Sequence, residues 1–149
     1  MTTAIAKNDL IMFYGSLQRG EYPHISLKLS AKLEFVDNCT ITGNLFDMGQ
    51  YPACVQGEGV VHGELFKVTD STVLETLDHF ERYDAGNLQQ SLYIREKVSL
   101  ISPAKYAIDN INVWTYIYNQ ELINNIAIHH GHWLNYKQET NNNSDFKGF

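Results

Sequence analysis

The sequence predicts an α+β domain in which a curved sheet or small barrel is accompanied by a few short helices. Three observations lead to this prediction. The chain has 149 residues, the size of one domain, and 44% of them are hydrophobic, enough for a substantial core. Several segments have strand patterns, whereas one segment has a clear helical pattern. These segments do not alternate in the regular βαβ order that predicts a parallel sheet.

Apolar runs and alternating patterns predict five strands. The first is a short apolar run that stops at Gly15, and Gly63 interrupts another as a bulge or a close backbone approach. The turn Gly49–Pro52 separates the second strand from the third. In chain order, the predicted strands are Leu10–Tyr14, Phe35–Phe46, Val60–Val68, Tyr93–Ile101 and Val113–Tyr118.

Three helices are predicted between and after these strands. The clearest is Asp70–Tyr83, where Asp70 or Ser71 can cap the first turn and four apolar residues recur at helical spacing. A second begins at Pro23, which suits a first turn. Its expected inner face consists of Ile25, Leu27, Leu29 and Leu33. A weaker third helix covers Glu121–His129, with Gly131 available to end it.

The C-terminal segment 137–149 has a different composition. It is polar and contains three consecutive asparagines, Asn141 to Asn143. Such a segment buries too little apolar surface to offset the entropy of ordering. We therefore expect a folded domain over residues 9–136 and a flexible tail over 137–149.

Charge and composition restrict the partners. The formal net charge is −6, and no cluster of basic residues is present to contact a phosphate backbone, so neither nucleic acid nor an anionic membrane is expected. No apolar run is long enough to cross a bilayer. Cys39 and Cys54 form no CxxC pair, which favours reduced thiols in a cytoplasmic protein. We expect a monomer or small homo-oligomer.

One carboxylate lies on the wrong face of the predicted helix Asp70–Tyr83. At about 100° per residue from Leu74, Leu77 falls near 300° and Glu81 near 340°, among the core positions. An inward carboxylate is costly unless it is paired, and burial raises its pKa towards the range of a general acid or base. The alternative is that Glu81 lies at a fraying helix end and reaches water.

The loop Gly15–Gly20 is a second candidate feature. Backbone N–H groups in a glycine-bounded turn after a strand can converge on an anion or a developing oxyanion. The spacing of the two glycines matches the start of a P-loop, but Glu21 and Tyr22 follow where Lys and a hydroxyl residue are needed. A P-loop NTPase is therefore not expected.

Several motifs together resemble the γ-glutamylcyclotransferase-like family. They occur in the family's order over about Leu10 to Trp133, with His132 where the family has an acid before the tryptophan. The matching segments are Phe13–Gly20 (containing YGSL), Gly49–Ala53, Val61–Phe66, Leu77–Tyr83, Tyr93–Arg95 and, more loosely, Ala107–Tyr118 and Gly131–Trp133.

The resemblance implies a fold, an activity and a site. The fold is α+β, a small mixed β-barrel with a few short flanking helices. The activity is release of an amine and 5-oxoproline from a γ-glutamyl amine or amide, with Glu81 as the catalytic glutamate and no cofactor or metal. The YGSL loop, Tyr14 to Leu17, is implied to bind the small-molecule γ-glutamyl substrate. Arg82 stands where many members have glycine, which we expect to reshape the pocket rim.

The remaining site residues are candidates from their position. Tyr93, Arg95 and Tyr116 lie on late predicted strands, where they either line the substrate pocket or pack the barrel, as does Tyr118. In chain order, the candidate substrate-binding residues are Tyr14, Gly15, Ser16, Leu17, Tyr93, Arg95 and Tyr116.

Three other functions were weighed. A binding protein on the same fold would hold a γ-glutamyl-like ligand without turnover. A serine hydrolase using Ser16 lacks a G-x-S-x-G elbow and a paired base. A metal-dependent hydrolase would use His129, His130 and His132, but adjacent histidines diverge on a helix and no Cys or acidic partner is adjacent. A solvated helix end explains these histidines more simply.

Overall fold

The computed structural model describes residues 6–107 and 111–146. Its strands are β1 (Leu10–Phe13), β2 (Leu33–Asp47), β3 (Pro52–Val68), β4 (Tyr93–Ser102), β5 (Asn112–Tyr118) and β6 (Ile126–Ala127). Its α-helices are α1 (Tyr22–Ser26), α2 (Val73–Glu81), α3 (Ala104–Ala107) and α4 (Trp133–Phe146). Short 3₁₀ turns lie at Leu29–Ala31 and Leu88–Gln90.

Strands β1 to β5 close into a mixed barrel. Their order is β3-β1-β5-β4-β2, and β2 pairs again with β3 to complete the ring. The β1–β5 pairing is parallel and the other pairings are antiparallel, while β6 adds to the end of β2. The predicted α+β class and small mixed barrel are therefore confirmed. None of the helices in the described residues is both long and apolar enough to span a bilayer.

The two longest strands, β2 and β3, form a hairpin across the barrel. Its turn is closed by a hydrogen bond from the N–H of Met48 to the carbonyl of Tyr51. Strand β3 begins at Pro52, eight residues before the predicted start. The extension is stabilised where Asn44 accepts a hydrogen bond from the N–H of Gly59, a contact between distant residues that the local pattern does not reveal.

Strand β1 is buried on both faces, which explains its continuous apolar sequence. Met12 and Tyr14 enter one hydrophobic cluster, which also contains Trp133 at the start of α4. Ile11 and Phe13 enter the second cluster, together with the inner face of α2. The two faces of β1 therefore pack into two different hydrophobic clusters.

The helix predicted from Pro23 is much shorter than its apolar pattern indicates. Helix α1 ends at Ser26, and Lys28 adopts a left-handed conformation (φ 54°) that stops its continuation. Within α1 the buried residue is His24, and Ile25 is 61% exposed instead of facing inward. Leu33 begins β2.

The helix predicted over Glu121–His129 is wrong. This segment is irregular except for β6, which pairs Ala127 with Phe46, and Asn124 has a left-handed backbone (φ 55°). The last helix, α4, instead begins at Trp133 and continues to Phe146. The backbone of residues 137–146 is thus helical where composition predicted a loose tail; the mobility of 137–149 stays a prediction, and residues 147–149 lie outside the described residues.

Candidate active site

A cavity of about 200 Å³ opens at the end of β1. Four parts of the chain form its walls: the loop after β1, the β2–β3 turn, the end of α2, and facing residues of β4 and β5. Its lining contains Tyr14, Gly15, Ser16, Leu17, Tyr51, Pro52, Phe80, Glu81, Arg82, Leu92, Tyr93, Thr115 and Tyr116, together with Met12 and Phe13. Seven of the eight sequence-predicted site residues are in this set, and Arg95 is not.

Glu81 is the last residue of α2 and lines this cavity. Helical spacing places it on the side of the buried Leu77, whereas Glu75 is exposed on the outer face. Its carboxylate has no hydrogen bond or ion pair within residues 6–107 and 111–146. Desolvation by the surrounding protein raises the pKa of Glu81 to about 8. A carboxyl group in this state can exchange a proton near neutral pH.

The two ends of α2 are defined by local backbone features, and the C-terminal end sets the direction of the chain after Glu81. Asp70 accepts a hydrogen bond from the N–H of Thr72 (3.0 Å) at the helix start. At the other end Arg82 is left-handed, with φ 55°, so the chain turns away directly after Glu81. The carboxylate therefore projects into the cavity from the last helical turn instead of following a fraying end into solvent.

The loop after β1 supplies another wall of the cavity. The N–H groups of Gly15, Ser16 and Leu17 have no backbone hydrogen-bond partner among the described residues, and all three residues line the cavity. A Cβ on Gly15 would stand 3.0 Å from Cγ of Pro52, so the loop packs tightly against the β2–β3 turn. Unpaired main-chain donors around a cavity are suited to a carboxylate or an oxyanion.

An ion pair anchors this loop to the barrel. The Arg19 side chain donates from Nε (3.1 Å) and Nη2 (3.0 Å) to Glu64 of β3, whose other oxygen accepts from the Arg19 N–H at 2.7 Å. The Arg19 guanidinium also lies 3.3 Å from the centre of the Phe35 ring. Arg19 and Glu64 lie in two of the motifs that resemble the family, but their contact does not follow from the sequence. This contact fixes the end of the loop whose residues Gly15–Leu17 carry the unpaired N–H groups, here called the donor loop.

Three tyrosines complete the wall, with their hydroxyl groups committed to the protein. Tyr14 donates to the carbonyl of Tyr116 (2.6 Å), Tyr93 to the carbonyl of Pro52 (2.6 Å), and Tyr116 to Asp78 Oδ1 (2.8 Å). Burial is the largest cause that raises the pKa of each, and the charge of Glu81 adds to it. The cavity is therefore bounded by neutral aromatic residues.

Arg95 lies behind this wall and not on it. Its Nε is 2.9 Å from Asp78 Oδ1, the same oxygen that accepts the Tyr116 hydroxyl. Burial raises the pKa of Asp78, while the hydrogen bond from Tyr116 and the charge of Arg95 oppose that shift. Of the two alternatives for Arg95, lining the pocket or packing within the barrel, the structure favours the second, and its contact with substrate stays a prediction. A strand pattern shows which residues alternate, but not that α2 supplies a carboxylate to Arg95.

We expect Arg95→Met to lower the free energy of unfolding by about 1–3 kcal/mol, because Asp78 would lose its cationic partner in a partly buried position. Urea denaturation measures this change. Lys137→Met is the matched control: its partner Glu21 is in a more exposed pair, so a loss below about 1 kcal/mol is expected. Unchanged stability with a raised KM would instead indicate that Arg95 contacts substrate.

The contribution of the β2–β3 turn to the cavity does not follow from the sequence pattern. Tyr51 and Pro52 line it, and the Tyr51 ring lies edge-on to Tyr93 with centroids 6.3 Å apart. The available signal is the segment Gly49–Ala53, which resembles a family motif and whose first four residues predict a turn. Only closure of the barrel brings that turn next to the loop after β1.

The histidine cluster forms a different arrangement from a metal centre. His132 stacks on His62 (5.4 Å between centroids), and His130 Nε2 lies 3.3 Å from Glu139. Within the described residues, no three His, Cys, Asp or Glu side chains are placed to hold a metal ion. Ser16 likewise has no hydrogen bond to a histidine in that part of the chain. The geometry supports neither the metal-hydrolase nor the serine-hydrolase alternative.

Fold and site together define a class of protein: a small closed barrel with a cavity that is lined by one carboxyl group of raised pKa and by unpaired main-chain donors. Sequence comparison identifies the family. The chain belongs to the family described as Gamma-glutamyl cyclotransferase, AIG2-like, which matches residues 11–135. Membership supports a γ-glutamylcyclotransferase-like function.

Individual relatives agree with this assignment. A Citrobacter rodentium protein named gamma-glutamylcyclotransferase family protein ytfP is 27% identical over 130 residues, 86% of this chain and 97% of the relative. Two solved structures show the same fold. An AIG2-like protein from Mus musculus has a TM-score of 0.63 at 21% identity, covering 86% of this chain and 89% of that one. Protein ytfP from Escherichia coli has a TM-score of 0.59 at 24% identity, covering 86% and 98%.

Proposed function

We propose that this protein is a cyclotransferase that acts on a γ-glutamyl amine or a small γ-glutamyl amide and forms 5-oxoproline. The observation that carries the proposal is one cavity lined both by Glu81, whose carboxyl group has a raised pKa, and by Gly15, Ser16 and Leu17, whose N–H groups have no backbone partner among the described residues. Family membership supports the γ-glutamyl chemistry. The two free, buried cysteines, Cys39 and Cys54, are consistent with a reducing cytoplasmic setting.

The reaction begins with a proton transfer within the bound substrate complex. The α-ammonium of the glutamyl group gives a proton to the Glu81 carboxylate, and the resulting amine attacks the γ-carbonyl carbon. A new C–N bond closes a five-membered ring. Because attack is intramolecular, holding the substrate in a folded conformation supplies much of the rate enhancement.

Collapse of the tetrahedral intermediate completes the reaction. Glu81 gives its proton to the leaving nitrogen, and the bond from the former γ-carbon to that nitrogen breaks. Glu81 then takes the second proton from the attacking nitrogen, which leaves a neutral lactam N–H, and passes this proton to the released amine. The products are 5-oxoproline and a free amine, and Glu81 is again ionised. The donors of the Gly15–Leu17 loop hold either the glutamyl carboxylate or the oxyanion that forms on the γ-oxygen. This sequence consumes no water and needs no covalent enzyme intermediate.

The raised pKa of Glu81 predicts a pH dependence. Below its pKa of about 8, the free enzyme carries a protonated Glu81 that cannot accept the ammonium proton. We therefore expect kcat/KM to increase about tenfold per pH unit below pH 8 and to be about a hundredfold below its plateau at pH 6. Initial rates of 5-oxoproline formation across this range measure the profile. A flat profile between pH 6 and 8 contradicts the role of Glu81.

The substrate class is tested with a panel of γ-glutamyl compounds. We would incubate the protein with γ-glutamyl-ε-lysine, γ-glutamyl dipeptides and glutathione, and follow 5-oxoproline by mass spectrometry. Turnover of at least one member supports the proposal. Saturable binding without product instead favours a binding protein on the same fold.

A further inference from the structure

The cavity has a charged rim that the proposed reaction does not use. Arg82 lines the cavity beside Glu81, yet its side chain is exposed. Within residues 6–107 and 111–146, the Arg82 guanidinium takes part in no ion pair and no hydrogen bond. The nearby Arg95, in contrast, is paired with Asp78. A cation without a protein partner thus stands at the mouth.

The backbone of Arg82 is held in an unusual conformation. Its φ of 55° and ψ of 45° are left-handed, a region that favours glycine and is strained for arginine. Three hydrogen bonds fix it there: from its N–H to His79 (3.2 Å), from the Tyr83 N–H to Asp78 (2.9 Å), and from the Leu92 N–H to its own carbonyl (3.0 Å). The fold therefore sets the direction in which the Arg82 side chain leaves the backbone next to Glu81.

The charges lining the cavity differ in depth. Arg82 and Glu81 are the charged residues among its lining in the described chain. Glu81 has a raised pKa, so near neutral pH it offsets little of the Arg82 charge. The proposed reaction requires the glutamyl α-amine and the leaving nitrogen to lie next to Glu81, because Glu81 exchanges a proton with both. The leaving amine is therefore bound beside the residue that directly precedes Arg82.

We propose that Arg82 selects substrates whose leaving amine carries a carboxylate, so that γ-glutamyl amino acids or short γ-glutamyl peptides are preferred over γ-glutamyl compounds of neutral or cationic amines. This inference rests on the proposed cyclotransferase function and specifies its substrate class. A guanidinium binds a carboxylate through paired N–H donors, and this pairing strengthens where protein shields the ions from water. A cationic amine meets the same guanidinium as a like charge.

Three substrates of similar size test the inference: γ-glutamylglycine, γ-glutamylglycinamide and γ-glutamyl-ethylenediamine, with anionic, neutral and cationic leaving amines. We expect wild-type kcat/KM to be about five- to tenfold higher for γ-glutamylglycine than for the glycinamide, with the cationic compound lowest. Raising the salt concentration reduces the preference. Arg82→Gln lowers the ratio of the kcat/KM values for γ-glutamylglycine and γ-glutamylglycinamide to about one. Arg82→Lys retains part of the preference for γ-glutamylglycine.

Other outcomes overturn the inference. If Arg82→Gln slows γ-glutamylglycine and γ-glutamylglycinamide equally, the arginine contacts the common glutamyl group or acts structurally. If the wild-type protein turns over both equally, Arg82 does not read the leaving amine, although the proposed function stands. Calorimetry on the Glu81→Gln variant measures the affinity for γ-glutamylglycine and for γ-glutamylglycinamide without turnover, so it separates the two proposals. Tighter binding of γ-glutamylglycine that disappears in the double variant Glu81→Gln/Arg82→Gln supports the inference even where the wild type forms no product. Equal binding of both compounds contradicts it.

Discussion

Replacing Glu81 by glutamine should abolish 5-oxoproline formation without unfolding the protein. Glutamine has nearly the same shape but cannot accept and return a proton, so we expect kcat to fall by about 10²–10⁴-fold. The measurement is a steady-state assay of 5-oxoproline on the best substrate of the γ-glutamyl panel. Glu75→Gln is the matched control, because Glu75 lies on the exposed outer face of the same helix and should retain wild-type turnover.

Thermal stability distinguishes a lost proton carrier from a damaged fold. The folded-state pKa of Glu81 lies above its usual value of 4.5, so the folded protein binds this proton more tightly than the unfolded chain. Ionisation of Glu81 therefore reduces stability increasingly as the pH rises from 4.5 through about 8. A neutral glutamine avoids this penalty, and Glu81→Gln should melt at or above the wild-type temperature at pH 8. Turnover within tenfold of wild type in this stable variant would contradict the acid/base role.

Replacing Gly63 by alanine should be the most destabilising of the changes considered. A Cβ at this buried position of β3 would collide with the carbonyl oxygen of Phe13 and with Cε of Met12, both in β1. The carbonyl belongs to the backbone and cannot rotate away as a flexible side chain can, so we expect a loss of about 3 kcal/mol in the free energy of unfolding. Urea denaturation at equilibrium measures it.

The same substitution should also reduce activity. Phe13 is followed directly by Tyr14 and the donor loop, so a displaced β1 moves the unpaired N–H groups relative to Glu81. Gly86→Ala is the control, because a Cβ there would lie 3.3 Å from an Asp84 side-chain oxygen on an exposed turn, and a change within about 0.5 kcal/mol is expected. Equal stability of Gly63→Ala and Gly86→Ala would show that the close approach of β3 to β1 is not needed.

The elements that sequence reasoning predicted well are those specified by local periodicity. The inward position of Glu81 follows from its spacing to Leu74 and Leu77 on one helix, and the strand from Leu10 follows from a continuous apolar run. Gly63 was interpreted as a bulge or close approach, and the structure shows the close approach. For Glu81 and for the first strand, the residues that determine the outcome are neighbours in sequence, whereas for Gly63 the glycine itself is the signal.

The elements that were missed depend on contacts between distant residues. The segment Glu121–His129 has an acceptable helical pattern, but pairing of Ala127 with Phe46 favours a short strand. Arg95 has a strand pattern consistent with the cavity, yet Asp78 on α2 binds it behind the wall. Tertiary structure decides these outcomes, and a single sequence does not reveal which side chains it brings together.

The central claim is that the substrate's own amine, assisted by Glu81, attacks the γ-carbonyl in the cavity beside the donor loop. Reaction in water enriched in ¹⁸O, with products analysed by mass spectrometry, tests it most directly. Intramolecular attack yields 5-oxoproline free of ¹⁸O, and the yield disappears in Glu81→Gln. Release of glutamate with ¹⁸O in its γ-carboxylate would show that water is the nucleophile and would contradict the claim.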